Sequence, residues 1–281
     1  MPASSVKDAL SAATDGLRAV GVEDPRLDAE VMLAEATGRD RAMLVASPEA
    51  EVAPAAARLF GEMVRRRLRR EPVAYIVGRK GFRHLDIAVD RRVLIPRPET
   101  ELLVEIALER APATLLDVGT GSGAIALAVA AELPGCAVTA TDTSARALEA
   151  AAANAERLGL ADRVRFLPGS VPEGEEFDLV LANLPYVAQR DWGSLQPEVT
   201  EWEPREALLA GPDGLDAYRA LLDERGSPLG RIGTQTSAAL ALEVGEGQAD
   251  AVAALLREAG FARTRSRRDL AGIERVVIGE R

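Results

Sequence analysis

A chain of 281 residues, 47% hydrophobic and 28% charged, has enough apolar material for one or two cored domains, which excludes disorder as its main state. No apolar run approaches the ~18 residues that a membrane helix needs, and Met1-Pro2-Ala3-Ser4-Ser5 lacks the basic-then-apolar pattern of a secretion signal, so a cytoplasmic protein with no membrane partner is expected. The net charge of −10 disfavours general nucleic-acid binding, the single cysteine (Cys136) excludes an intrachain disulfide framework, and the single histidine (His84) argues against a histidine metal site or a Ser-His-Asp triad.

Apolar residues recur at helical spacing over Val6 to Val20, Leu27 to Ala36 and Ala55 to Leu68. Asp24 before Pro25 and Ser47 before Pro48 read as helix starts. The run Arg65-Arg66-Arg67-Leu68-Arg69-Arg70 reads as a helix C-terminus complementing its own dipole, with Pro72 as the stop. The alternative for that run is a contact with ribosomal RNA or an acidic partner. Residues 1–70 are expected to form a small all-helical domain. Residues 71–98 read as a β-hairpin linker: Tyr75-Ile76-Val77-Gly78 and Leu85 to Val89 as strands, Gly81 in the turn, Pro96-Arg97-Pro98 as the end.

From Glu99 onward helix and strand alternate. Helices are predicted over Glu101 to Arg110, Ala124 to Leu133, Ala145 to Leu158, Leu215 to Glu224 and Gln248 to Ala259. Strands are predicted over Thr114 to Val118, Ala137 to Thr141, Val164 to Leu167, Asp178 to Ala182 and Ala238 to Val244, then Thr264 to Arg268 and Arg275 to Ile278. Such alternation over 99–281 implies an α/β domain with a mostly parallel sheet. The last two strands, joined by a turn, imply an antiparallel edge.

Two loops in that domain carry chemistry. Asp117-Val118-Gly119-Thr120-Gly121-Ser122-Gly123 follows a strand and opens a helix, and with Ala124 it satisfies G-x-G-x-x-A. Glycines there let the backbone turn tightly and approach a ligand. Asp142 ends the next strand, where a carboxylate can accept from both hydroxyls of a ribose. NAD and S-adenosylmethionine both fit that pair. Asp117, two residues before the first glycine, favours a ligand with an ammonium and a sulfonium over a pyrophosphate. The second loop, Asn183-Leu184-Pro185-Tyr186, follows a buried strand and so faces the same crevice. Asn183 can grip an –NH2 group, the Leu184 carbonyl can aim at it, Pro185 stiffens the backbone, and Tyr186 offers a flat face to an amide or a base.

The stretches Glu71 to Gly78, Leu94-Ile95-Pro96-Arg97-Pro98-Glu99-Thr100-Glu101 and Asp117 to Ile125, with Asp142 and the Asn183 tetrapeptide, make the chain resemble the HemK/PrmC family of protein-(glutamine-N5) methyltransferases. Glu203-Pro204, Asp213-Gly214-Leu215, Glu243, Gln248 and Asp269 to Gly272 extend the resemblance to the C-terminus. It implies a Rossmann-like class I methyltransferase fold with a seven-stranded sheet, behind a helical substrate-recognition domain. It also implies methyl transfer from S-adenosyl-L-methionine to the glutamine N5 in the Gly-Gly-Gln motif of class-1 peptide-chain release factors. Asn183 and Tyr186 are then the catalytic residues, and Asn183 to Tyr186 bind substrate. Asp117, Gly119, Thr120, Gly121, Ser122, Gly123, Asp142 and Asn183 hold the cofactor, joined by Phe82, Glu101 and Val171 on the resemblance alone. A monomer without a metal or direct nucleic-acid binding is expected.

The family usually has Asn-Pro-Pro-Tyr, and Asn-Leu-Pro-Tyr resembles instead the adenine-N6 dimethyltransferases of ribosomal RNA. An adenine-N6 methyltransferase acting on RNA or DNA is therefore the alternative. Gly169-Ser170-Val171 also departs from the usual acid and bulky residue near the adenine, and Gly230 to Ser237 is a longer turn than the family's Pro-Gly-Gly.

Overall fold

The computed structural model describes residues 5–223 and 238–281; the Gly230 to Ser237 turn lies outside them. The chain divides into two compact units, one running to Arg79 and regaining Gln196–Trp202, the other comprising Lys80–Leu195 and Glu203–Arg281.

The first unit is helical: α1 (Val6–Ala19), α2 (Pro25–Thr37), α3 (Arg41–Ala46), α4 (Pro54–Arg67) and α5 (Val73–Val77). Its core gathers Leu10, Leu17, Met32, Leu33, Leu44, Phe60 and Ile76. Asp24 flanks the start of α2, as expected. Ser47 instead ends α3, and the next helix opens at Pro54, where proline's missing N–H costs no helical bond. Tyr75 to Gly78 is not a strand. Pro72 opens α5 and Gly78, at φ +77°, stops it. Burial of Tyr75 and Ile76 overrides the strand preference of Ile and Val. Residues 71–78 thus belong to the helical unit.

The arginine run at the end of α4 is largely consumed inside this unit. Arg66 pairs with Glu71 at 2.6 Å and Arg67 with Asp28 at 2.7 Å. Arg67 and Arg70 both reach Glu198, at 2.7 and 2.6 Å, on α9 (Pro197–Trp202). Burial opposes ionisation of Glu198, but Arg70 and Arg67 hold its carboxyl below the usual range. Helix α9, which periodicity did not reveal, is thereby tied to the helical unit by charge.

A hairpin, β1 (Arg79–Phe82) and β2 (Leu85–Ala88), begins at the last residue of the stretch running to Arg79 and belongs otherwise to the second unit. Gly81 lies within β1, and the turn falls at Arg83-His84, with Arg83 at φ 53°. Then follow α6 (Glu101–Arg110), β3 (Thr114–Val118), α7 (Ala124–Glu132), β4 (Ala137–Asp142), α8 (Ala145–Arg157), β5 (Val164–Pro168) and β6 (Leu179–Ala182). After α9 come α10 (Asp216–Leu222), β7 (Ala239–Glu243), α11 (Ala249–Glu258), β8 (Arg263–Arg268) and β9 (Glu274–Glu280). The sheet has the order β5-β4-β3-β6-β7-β9-β8, with β9 antiparallel to both neighbours. The antiparallel strand of the final hairpin thus lies one in from the edge. Strands β6 and β7 are buried at every residue, as apolar strands covered on both faces must be.

Register positions the site. Val118 pairs with Thr141 on one side and Ala182 on the other, and Ala182 pairs with Leu242. Residues 119, 142, 183 and 243 therefore leave their strands side by side. Strand order reverses between β3 and β6, where an open parallel sheet leaves a crevice at its carboxyl ends.

Candidate active site

A cleft of about 220 Å³ opens there, lined within the second unit by Gly119 to Ser122, Asp142, Asn183, Leu184, Pro185 and the segment from Arg92 to Thr100. Gly119 and Gly121 lie at φ +74° and +56°, strained for any residue with a Cβ. Asp142 accepts from the Gly121 N–H at 2.9 Å and the Ser144 N–H at 2.8 Å, which fixes the loop and leaves lone pairs toward the cleft. Behind the loop, Thr120 Oγ1 donates to Asp117 Oδ2 at 2.7 Å and the Ala126 N–H adds a bond at 3.2 Å. Asp117 Oδ1 is buried with no partner among the described residues. Burial pushes the Asp117 carboxyl up to about 7, and the nearby Asp142 charge adds to the shift. Left-handed glycines, a cleft-lining carboxylate and an unpartnered acid behind them fit a nucleoside ligand with ribose hydroxyls and positive charge.

The opposite wall is held by side chains from distant parts of the chain. Asn183 Nδ2 donates to Thr100 Oγ1 at 3.1 Å. Leu184 packs over the glycine loop, its Cδ2 lying 3.2 Å from where a Cβ on Gly119 would stand. The Tyr186 carbonyl accepts from Gln248 Nε2 at 2.9 Å, while Gln248 Oε1 accepts from the Gly245 N–H at 3.0 Å. Gly214, at φ +81°, comes so close to this loop that a Cβ would stand 2.4 Å from the Tyr186 carbonyl oxygen. Burial pushes the Tyr186 phenol up to about 12, so it stays neutral near pH 7. Glu203 fixes the Pro96 region, accepting from the Ile95 N–H at 3.0 Å and from Arg97 Nη2.

The model of the PrmC N-terminal domain matches residues 8–78, and that of the methyltransferase small domain matches residues 98–198. The release factor glutamine methyltransferase of Caulobacter vibrioides is 41% identical over 278 residues, covering 96% of this chain and 94% of that one. That of Bordetella pertussis is 45% identical over 263 residues, covering 91% and 94%. The chain belongs to the release factor glutamine methyltransferase family. Its structure is also similar to the catalytic domain of hMettl16 in complex with MAT2A 3′UTR hairpin 6, with TM-score 0.55, 16% identity and coverage of 70% of this chain and 75% of that one. A likeness at that identity reports a shared fold alone.

Measured against the family's expected site, the cleft takes in Gly119, Thr120, Gly121, Ser122, Asp142, Asn183, Leu184 and Pro185. Six expected residues do not line it. Asp117 is fully buried behind the loop. Gly123 faces packing instead of ligand: a Cβ there would stand 3.0 Å from Leu127 and 3.2 Å from the Ala151 Cβ. Phe82 is buried in the core. Glu101 accepts from the Arg83 N–H at 2.9 Å, anchoring the hairpin turn. Val171 packs against the sheet core, and Gly169 and Ser170 line the cleft in its place. Tyr186 packs against the same core, with Cδ2 near Gly245. Residue reasoning alone gave no role to Thr100, Glu203 or Gln248; their only signal was membership in the stretches that carry the resemblance.

Proposed function

We propose that this chain transfers a methyl group from S-adenosylmethionine to the side-chain amide N5 of the glutamine in the Gly-Gly-Gln motif of class-1 peptide-chain release factors. One observation carries the reading: in a member of this family, Asn183 and the glycine loop face one cleft, fixed by strand register. The cofactor supplies an electrophilic methyl on a sulfonium. Asp142 would accept from the ribose hydroxyls, and Gly119 to Ser122 would let the backbone approach the ligand closely. Asp117 would act from behind the loop, its negative charge favouring the cationic end.

An amide nitrogen is a poor nucleophile because its lone pair is delocalised into the carbonyl. Asn183 Oδ1 and the Leu184 carbonyl would accept its two hydrogens, orienting the nitrogen and stabilising positive charge as it develops. The proton would leave after transfer, with no side-chain base required; Tyr186, a neutral phenol, would anchor the loop. Leu184 keeps the backbone carbonyl that the family's proline provides. The helical unit, residues 1–70 by sequence, we read as the recognition domain for the release factor, the chain acting as a cytoplasmic monomer without direct nucleic-acid binding.

The test is mass spectrometry of a release factor incubated with this protein and S-adenosylmethionine. One added methyl, absent when the Gly-Gly-Gln glutamine is replaced, supports the reading. Methylation of ribosomal RNA alone would overturn it in favour of the adenine alternative.

A further inference from the structure

The Asn183 to Tyr186 loop is held at its two ends by different means. At one end Asn183 Nδ2 donates to Thr100 Oγ1 at 3.1 Å. Just past the other, the Val187 N–H donates to the Leu208 carbonyl at 2.8 Å, and the Val187 carbonyl accepts from the Ala210 N–H at 3.0 Å. Among the described residues, one hydrogen bond alone reaches the backbone of Leu184, Pro185 or Tyr186: Gln248 Nε2 donates to the Tyr186 carbonyl at 2.9 Å.

Gln248 stands at the N-terminal cap position of α11, yet its side chain makes no cap bond. Ser, Asp or Asn would serve the helix better there. The Gln248 amide is used elsewhere. Its Oε1 accepts from the Gly245 N–H at 3.0 Å while Nε2 reaches the tetrapeptide, so one planar group ties the turn after β7 to the loop. The surroundings are shaped to admit it. A Cβ on Gly245 would stand 2.9 Å from Gln248 Oε1 and 3.1 Å from Tyr186 Cδ2. On Gly214, at φ +81°, a Cβ would stand 2.4 Å from the Tyr186 carbonyl oxygen and 2.7 Å from Gln248 Nε2. The Gly214 turn is itself braced, since Asp213 accepts from the Leu215 N–H at 3.1 Å and pairs with Arg219 at 2.6 Å.

We propose that Gln248 is a positioning residue for methyl transfer: through the Tyr186 carbonyl it fixes the loop that aims Asn183 and the Leu184 carbonyl at the substrate amide. The proposal rests on the glutamine reading above. Pro185 passes the restraint along, because its ring fixes φ and removes one of the few torsions between the Tyr186 and Leu184 carbonyls. In-line transfer needs the nitrogen held in one orientation, so a loosened carbonyl costs rate more than binding. Only an amide makes both contacts. An ionised glutamate at this position keeps the Gly245 bond but sets oxygen against the Tyr186 oxygen, and a methionine has no hydrogen to give.

The experiment measures kcat and KM on a release factor for the parent, Gln248→Glu, Gln248→Met, Gly214→Ala and the double variant Gly214→Ala/Gln248→Met. Assays run at about pH 8, well above the ordinary glutamate range. Cofactor affinity by calorimetry and the thermal midpoint accompany each. Gln248→Glu and Gln248→Met should each lower kcat at least about tenfold, with KM and cofactor affinity close to the parent's. Gln248→Glu discriminates: if Gln248 merely held the turn after β7, a glutamate of the same length, still accepting from Gly245, would turn over normally. Gly214→Ala pushes on the same carbonyl and should also lower kcat, and the double variant should be no slower than the slower single one. Turnover of Gln248→Glu near the parent's would overturn the proposal, as would a loss of cofactor affinity as large as the loss in kcat, or losses that multiply in the double variant. Should Gly214→Ala fail to fold, the two Gln248 variants decide it. A parent that methylates release factor while these arms fail removes only this inference. A parent that leaves the release factor unmodified removes the glutamine reading and this inference with it.

Discussion

Each wall of the cleft is backed by a threonine and a buried acid, yet the two pairs are built differently. On the β3 side Thr120 bonds Asp117, three residues away in the same loop. On the β6 side Asn183 hangs from Thr100, at the start of α6, and Glu243 is buried at the end of β7, level with Asn183 in the sheet. Both acids are pushed up to about 7 by burial, and each keeps one oxygen without a partner among the described residues. The first pair stiffens a loop that needs no distant help. The second depends on three segments meeting, so it can be reset by changes far away in sequence. Binding of the cofactor and orientation of the substrate amide should therefore be separable.

The largest effect should come from Asn183→Ala. Asn183 lies on a loop and fills no core, so the fold should persist while kcat on release factor falls at least about 100-fold, as for loss of an oriented hydrogen-bonding group. Cofactor affinity close to the parent's, beside that loss, would sharpen the division; turnover near the parent's would break it.

Asp142→Ala tests the other wall. Loss of charge-assisted bonds to the ribose and of the two backbone bonds that fix the loop should weaken S-adenosylmethionine by about 2–4 kcal/mol. Calorimetry that finds unchanged affinity sinks the assignment.

Asp117→Asn probes the buried acid on that side through pH. A carboxyl whose pKa is raised on folding favours the fold fully below its unfolded value near 4 and loses that advantage as pH rises to about 7. The ligand-free parent should thus lose stability over that window, by on the order of 4 kcal/mol. The variant's thermal midpoint should change less with pH. Parallel pH profiles would show that Asp117 does not carry the effect.

Leu184→Pro should do least. It restores the family's usual tetrapeptide and reduces backbone freedom, an effect of about 0.4–1 kcal/mol where the geometry is compatible, against the lost contact over Gly119. Release-factor methylation should be kept or slightly improved. Loss of labelling on a ribosomal RNA substrate, with none on release factor in either protein, would shift the reading to adenine.

Sequence alone determined what repeats at short range. The period-3.6 and apolar-strand patterns placed α6, β3 and α7 almost to the residue, because each buries a face through its own sequence. The glycine loop and Asp142 were legible for the same reason: left-handed turns demand glycine, and the acid closes its bonds within about two dozen residues. The tertiary structure alone decided that Pro72 starts a helix, since only burial in the helical core outweighs the strand preference of Ile76 and Val77. It alone decided that the arginine run is spent on Glu71, Asp28 and Glu198. It also set Asn183 level with Glu243, because parallel register aligns strand ends far apart in sequence, and it hung Asn183 from Thr100, 83 positions away. Local spacing encodes faces and turns, but the partner of a buried polar group is chosen by which strands pair, and that is settled only when the sheet closes over its core.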